Sequence, residues 1–245
     1  MSIQPDQISV ILTSTIDVRG IANMQRTDVQ ARLDDYRRAL QRWLDDPWTR
    51  HLVMVENSGY PLDDLRGLVA RHPSGKDVEF LSFDGQDFPR SRGKGFGEMT
   101  ALRHVLRESA QLRRTGRFLK VNGRYFIPNI ADVLACMQPE TAVFCNITKS
   151  LSYSDSRVFG GDLQFLELLC EQGLRVDDEA GYWFEHALCR SALLAIADGR
   201  PWQFMRRLPV VEGYSGTLNR PYSESRLKLW VKGRGHALKQ RLLSL

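Results

Sequence analysis

The chain has 245 residues, enough to bury one substantial core with at most a small lobe beside it. Its 42% apolar and 26% charged content is ordinary for a globular protein, and no apolar run reaches the roughly 18–20 residues that span a bilayer. The net charge is +5, and the four cysteines (Cys136, Cys145, Cys170, Cys189) form no C-x-x-C pair, which argues against a zinc site and fits reduced thiols.

The N-terminal stretch MSIQPDQISV lacks the basic start and apolar run of a signal peptide, so the cytoplasm is the expected location. Residues 8–16, ISVILTSTI, predict a buried strand. Thr27 or Asp28 then caps a helix reaching about Asp45, with Leu33, Tyr36, Leu40, Trp43 and Leu44 at helical spacing. A second strand is expected over 50–59, a short helix after Pro61, and a third strand over 77–85. The stretch RSRGKGFGEMTALRHVL follows, leading into a helix from about Gly97 to Arg113. A fourth strand over 117–127, a short helix over 129–137 and a fifth strand over 141–148 complete an alternating pattern. Such alternation predicts an α/β fold with a mostly parallel sheet flanked by helices. Beyond residue 150 only a helix over 180–198 is clear; the rest reads as loop, short strand and a basic tail.

In open sheets of this kind ligands bind outside the carboxyl ends of the strands. Thr13, Ser14 and Thr15 follow strand one, Glu56, Asn57 and Ser58 follow strand two, and Asn122 and Arg124 lie within strand four. The glycine stretch joins the same edge. Its glycines, at 93, 95 and 97, give G-x-G-x-G after the third strand, which is not the dinucleotide fingerprint; a P-loop sequence is absent. Glycines that let a backbone approach closely, helix amides and Arg90, Arg92 and Lys94 still suggest an anion, whereas a solvated basic loop is the plain alternative.

From strand one to residue 127 this order resembles the nucleotide-binding half of GT-A glycosyltransferases, with ILTST, VMVENSG and RGKGFGEMTALRHVL in the matching places. The segments ENSG, GKGFGE, GRYFI and SDSRVFGG also resemble small transferases encoded with bacterial surface-polysaccharide genes and related transferases of large viruses. The resemblance implies a GT-A-like (Rossmann-like) single domain. Residues 1–150 would form the donor half, 151–222 the acceptor and catalytic half, and 223–245 a basic tail. It also implies sugar transfer from a nucleotide-sugar donor to a glycan or lipid-linked acceptor in surface-polysaccharide or lipopolysaccharide synthesis. One departure matters: where the family carries a metal-binding D-x-D, this chain has KVNGRYFI. A metal-independent donor site without cofactor is therefore expected, with Lys94, Arg124 and Lys120 offsetting the phosphates and manganese or magnesium left open.

On this reading Thr13, Thr15, Glu56 and Asn57 hold the nucleoside, while Lys94, Gly95, Asn122 and Arg124 hold the diphosphate. Glu98 orients Lys94 or a sugar hydroxyl, and the turn at Ser215, Gly216 and Thr217 offers amides to a phosphate. Asp155, Arg157 and Glu185 form the catalytic side. Glu185, after two aromatics at a helix start, is the candidate base; its structural alternative is a dipole partner in a first turn. Asp155 and Arg157 have the alternative of a loop ion pair, and His186 that of a structural hydrogen bond.

Residues 223–245 hold Arg226, Lys228, Lys232, Arg234, Lys239 and Arg241 against Glu224 alone, interleaved with Leu and Trp. Peripheral membrane contact and a helix packed on its own domain are both compatible with this tail. The rival activities are a sugar-phosphate nucleotidyltransferase and a phosphoribosyl-type transferase. A basic nucleic-acid-binding protein is the non-enzymatic rival, but the chain lacks the aromatic runs of such proteins, so no nucleic-acid partner is expected.

Overall fold

The structure, a computed structural model, describes residues 2–19, 24–148, 150–215, 219–222, 234, 235 and 238. Its centre is a seven-stranded sheet built on β1 (Ser9–Ser14), every residue of which is buried. β2 (His51–Glu56) and β4 (Arg117–Asn122) pair with β1 in parallel on either side, and β3 (Asp77–Ser82) adds in parallel outside β2. Across the sheet β3, β2, β1 and β4 stand in that order, so the chain reverses its direction of strand addition between β1 and β4. That reversal opens a crevice at the carboxyl ends of both strands.

Side-chain alternation sorts the strands onto two layers. Val10, Leu12, Leu52, Met54, Leu119 and Val121 face one core with α1 (Val29–Asp45), α2 (Asp63–Arg71) and α5 (Ile130–Leu134). Ile11, Val53, Val55 and Phe118 face a second core with α3 (Gly93–Glu108), α4 (Ala110–Thr115), α6 (Leu163–Gln172) and α7 (Phe184–Ala197). The α1 stripe reads as the sequence implies, and Asp28 caps it by accepting the Ala31 amide at 2.6 Å. Among the described residues no helix is long and apolar enough to cross a membrane.

Three expectations change. The fourth strand is two: the chain turns at Gly123, whose amide donates to the Thr13 carbonyl at 2.8 Å, and β5 (Tyr125–Phe126) leaves the main sheet. There it pairs with β9 (Glu212–Gly213), which brings residues 212–215 back over Arg124. The fifth strand shrinks to β6 (Val143–Phe144), joined in parallel by β8 (Trp202–Gln203). Between β4 and β6 lies β7 (Val158–Asp162), antiparallel to both, followed at once by α6. The glycines of VFGGD allow this insertion, because a Cβ at Gly161 would lie 2.3 Å from the Ala142 carbonyl oxygen.

Candidate active site

A cavity of about 400 Å³ opens at the reversal between β1 and β4. Thr13, Thr15, Asn57, Lys94, Gly95, Glu98, Asn122, Arg124, Arg157, Glu185 and Ser215 all line it. The strand ends are tied to α3 by a relay: the Thr15 hydroxyl donates to Asn57 Oδ1 at 2.6 Å, and Asn57 Nδ2 donates to the Gly97 carbonyl at 2.6 Å. Glu56 stands apart from its neighbours. It is fully buried outside the cavity and accepts the amides of Ile16, Ser58 and Tyr60, each at 2.9 Å, so it knits the two loops rather than facing a nucleoside. Burial raises its carboxyl above the ordinary value, with those hydrogen bonds pulling the other way.

On the floor, strand alternation places Lys120 on the same face as Phe118, toward α3 and α7. It is 1% exposed and ion-paired to Glu98, and its Nζ donates to the Ser156 carbonyl at 2.8 Å. Burying a lone ammonium costs several kcal/mol, which explains why Glu98 turns toward it and also accepts the Thr13 hydroxyl at 3.1 Å. Glu98 is thus oriented by Lys120 and Thr13.

The glycine-rich segment is not an open phosphate loop. Helix α3 begins at Gly93, four residues earlier than the sequence implies, and its first turn is already taken by a carboxylate. Asp178 accepts the backbone amides of Gly95 and Lys94. Gly93 has φ +71°, and a Cβ there would lie 2.0 Å from Asp178 Oδ2, so the glycine admits an internal acid. Burial raises the Asp178 carboxyl above the ordinary range, opposed by Lys94 and these amides. Arg92 donates from Nε to the Val176 carbonyl at 2.9 Å and lies over Phe96, while Arg90 donates to the Arg19 carbonyl. Of the three basic residues only Lys94 reaches the cavity.

Arg124 is 5% exposed, and among the described residues its Nε and Nη1 are buried without a hydrogen-bond partner. Arg32 also lines the cavity, but its donors are spent on protein: Nε on the Thr15 and Ile16 carbonyls at 2.9 and 3.1 Å, Nη1 on the Arg26 carbonyl at 3.0 Å. Burial lowers the Arg32 pKa, and Arg124 adds to that effect. Two buried guanidiniums lie near the Tyr36 ring, at 6.0 and 5.9 Å, and only Arg32 has its hydrogen bonds met by backbone carbonyls. A buried unmet donor of this kind costs about 1–3 kcal/mol, more for a charged group, unless something fills its place.

On the opposite wall Glu185 sits in the first turn of α7 and accepts the Ser156 hydroxyl at 2.7 Å. Asp155 lies outside the cavity lining and pairs with Arg157, Nη2 to Oδ2 at 2.7 Å, while also accepting the Arg157 amide at 3.0 Å. It therefore aims Arg157, whose guanidinium stands 5.7 Å from the Tyr222 ring centre. His186 serves the helix: its Nδ1 accepts the Trp183 amide at 3.0 Å. Gly216, Thr217 and nearly all of the basic tail lie outside the described residues.

Sequence reasoning passed over Arg32, Tyr153, Asp178, Trp183 and Tyr222, all of which line the cavity. Arg32 interrupts the apolar stripe of α1, which was a usable signal; Asp178 sits in an acidic run and gave none. At the position where D-x-D would stand the chain has Asn122, Gly123 and Arg124. Asn122 spends Oδ1 on the Arg124 amide at 3.2 Å, and the next charged group is the Arg124 cation itself. Among the described residues no three His, Cys, Asp or Glu side chains converge.

No protein-family model matches the sequence, and no curated protein is significantly similar to it. Solved structures are similar at low identity. The glycosyltransferase GlyE of Streptococcus pneumoniae is 9% identical with a TM-score of 0.48, over 80% of this chain and 44% of that one. The chain thus spans less than half of GlyE's length. A protein of Desulfovibrio desulfuricans assigned as a nucleotide-diphospho-sugar transferase is 11% identical with a TM-score of 0.46, over 83% and 80%. A cytidylyltransferase of Leptospira borgpetersenii is 8% identical with a TM-score of 0.39, over 73% and 74%. At this distance the chemistry of the cavity has to be read from its own residues.

Proposed function

We propose that the chain is a glycosyltransferase that moves a sugar from a nucleoside-diphosphate donor to a hydroxyl of a surface glycan or lipid-linked saccharide, with cationic side chains in place of a metal. The observation that carries the reading is Arg124, a buried guanidinium just after β4 with two nitrogens that no described residue meets. A diphosphate meets that need, because planar N–H pairs match phosphate oxygens and the Arg124 guanidinium is itself buried. Lys94 and Arg157 add positive charge along the same cavity. The alcohol β1 edge, through Thr13 and Thr15, faces the nucleoside end. Glu185 takes the acceptor hydroxyl's proton as the leaving diphosphate departs, and the hydrogen bond from Ser156 to its carboxylate supports that role.

The test is calorimetric titration of the wild type and Arg124→Met with UDP, GDP, CDP and their sugars, in EDTA and then with manganese. The variant is expected to bind about ten- to a hundred-fold more weakly, as loss of a charge-assisted hydrogen bond implies. It should also melt higher without ligand, since the unmet buried cation is gone. Absence of nucleotide binding in the wild type, or binding and turnover only with added metal, would sink the reading in its stated form. Pyrophosphate release from a nucleoside triphosphate and a sugar phosphate, with no acceptor present, would assign a nucleotidyltransferase instead.

A further inference from the structure

Trp183 lines the cavity yet remains 46% exposed. A single exposed aromatic is ordinary on a protein surface, but this one belongs to a group. The His186 ring stacks with it at 5.3 Å and 23°, and Tyr153, which also lines the cavity, meets His186 edge-on at 5.8 Å and 89°. Its backbone is locked as well, because the Trp183 amide donates to His186 Nδ1 at 3.0 Å across the first turn of α7. The indole is therefore held in place before any ligand arrives, and little ordering entropy is lost on contact. Glu185, two positions along and held by Ser156, lines the same cavity as a hydrogen-bond acceptor. Tyr153 feels that neighbour: burial, then the charges of Glu185 and Asp155, push its phenol up to about 12, so it remains a hydroxyl donor at neutral pH.

An apolar ring face that shares a cavity with a carboxylate and a phenol is complementary to a pyranose. One side of such a sugar carries axial C–H groups that pack on the negative π face, while its rim carries hydroxyls for the polar neighbours. We propose that Trp183 and Tyr153 form the acceptor subsite, and that the acceptor presents a pyranose ring stacked on the Trp183 indole with one hydroxyl turned toward Glu185. This rests on the transferase reading for its use in turnover, but the subsite is defined by its own residues.

The full-length chain is titrated with methyl β-galactopyranoside and methyl β-glucopyranoside, with and without UDP, followed by saturation-transfer NMR. The wild type should saturate the axial ring protons most strongly. Trp183→Ala should bind about ten-fold more weakly, and Trp183→Phe should keep most of the affinity. Both variants should keep the wild-type melting temperature closely and bind UDP unchanged. No transfer from the wild type to either pyranoside up to its solubility limit, or equal binding by Trp183→Ala, overturns the subsite. Failure of UDP, GDP and CDP alike to bind the wild type overturns the transferase reading, and the nucleotide-free arm still decides whether the pyranose stacks on Trp183.

Discussion

Asp178 occupies the place that an anionic ligand would take at the start of α3. Its carboxyl is raised by burial, so the folded state holds its proton more tightly than the unfolded chain does. The sign follows from linkage: this contribution to stability is full below the ordinary value of 3.8 and is lost as the pH rises through the raised folded value. Asp178→Asn keeps an oxygen for the Gly95 and Lys94 amides but cannot ionise. The melting temperature of the variant relative to the wild type should therefore climb as the pH rises from 3.8, a difference that isolates Asp178 from Glu56, whose shift has the same direction. Lys94 and Glu185 act on the same carboxyl in opposite senses, so the climb should survive moderate salt. A difference that stays constant with pH would show that Asp178 is not held in this environment.

Helix α3 shows how one element's start is decided from a distance. The amphipathic pattern alone places its beginning near Gly97, yet the segment 91–95 winds on because three interactions from residues 174–179 hold it. Arg92 donates to the Val176 carbonyl, the Glu179 amide donates to the Ser91 carbonyl at 3.1 Å, and Asp178 takes the first free amides. Gly93→Ala should cost about 1–3 kcal/mol in urea denaturation, from the left-handed φ and the clash with Asp178. Adding Asp178→Ala removes the clash but not the backbone strain. The double variant should thus be more stable than the sum of the two losses, by about 0.5–3 kcal/mol. Strict additivity would mean that the carboxylate does not approach Gly93. The inserted strand β7 follows the same logic, since neighbouring backbone on both sides selects Gly160 and Gly161.

For the whole molecule, the surplus of positive charge is concentrated in one place. Residues 223–245 carry six Lys or Arg against one Glu, which equals the chain's formal +5. Such a segment gains about 1 kcal/mol per cation near an anionic lipid surface and loses it with salt. In flotation at low salt with vesicles containing anionic lipid, recovery of the full chain but not of a chain ending at Tyr222 would assign the tail to a membrane surface. Equal recovery of the two would rule out the tail as the contact. The remaining surface is mixed in sign, with pairs such as Arg19–Asp84 and Arg37–Asp64 exposed to solvent and worth little individually.

Period-two and period-3.6 apolar patterns determined the alternating strands and helices through residue 122, hence the parallel sheet and the edge on which polar residues gather. That much is local, because burial of alternate side chains leaves few other arrangements for Val10–Leu12 or Leu33–Leu44. The same patterns placed Thr13, Asn57, Lys94 and Arg124 at one crevice, each at the end or start of an element. Only the tertiary structure decided what those groups do there. Glu56 turned inward because three loop amides needed an acceptor, and Arg92 turned to the carbonyls of a segment more than 80 positions away. The strand β7 lacked a pattern of its own, since a Gly-Gly pair carries no alternation and its register comes from β4 and β6. Whether a charged side chain meets a partner is a property of space rather than of sequence. That is why Arg32 and Arg124, alike as residues, end with one tied to the backbone and the other facing the cavity with two nitrogens unmet.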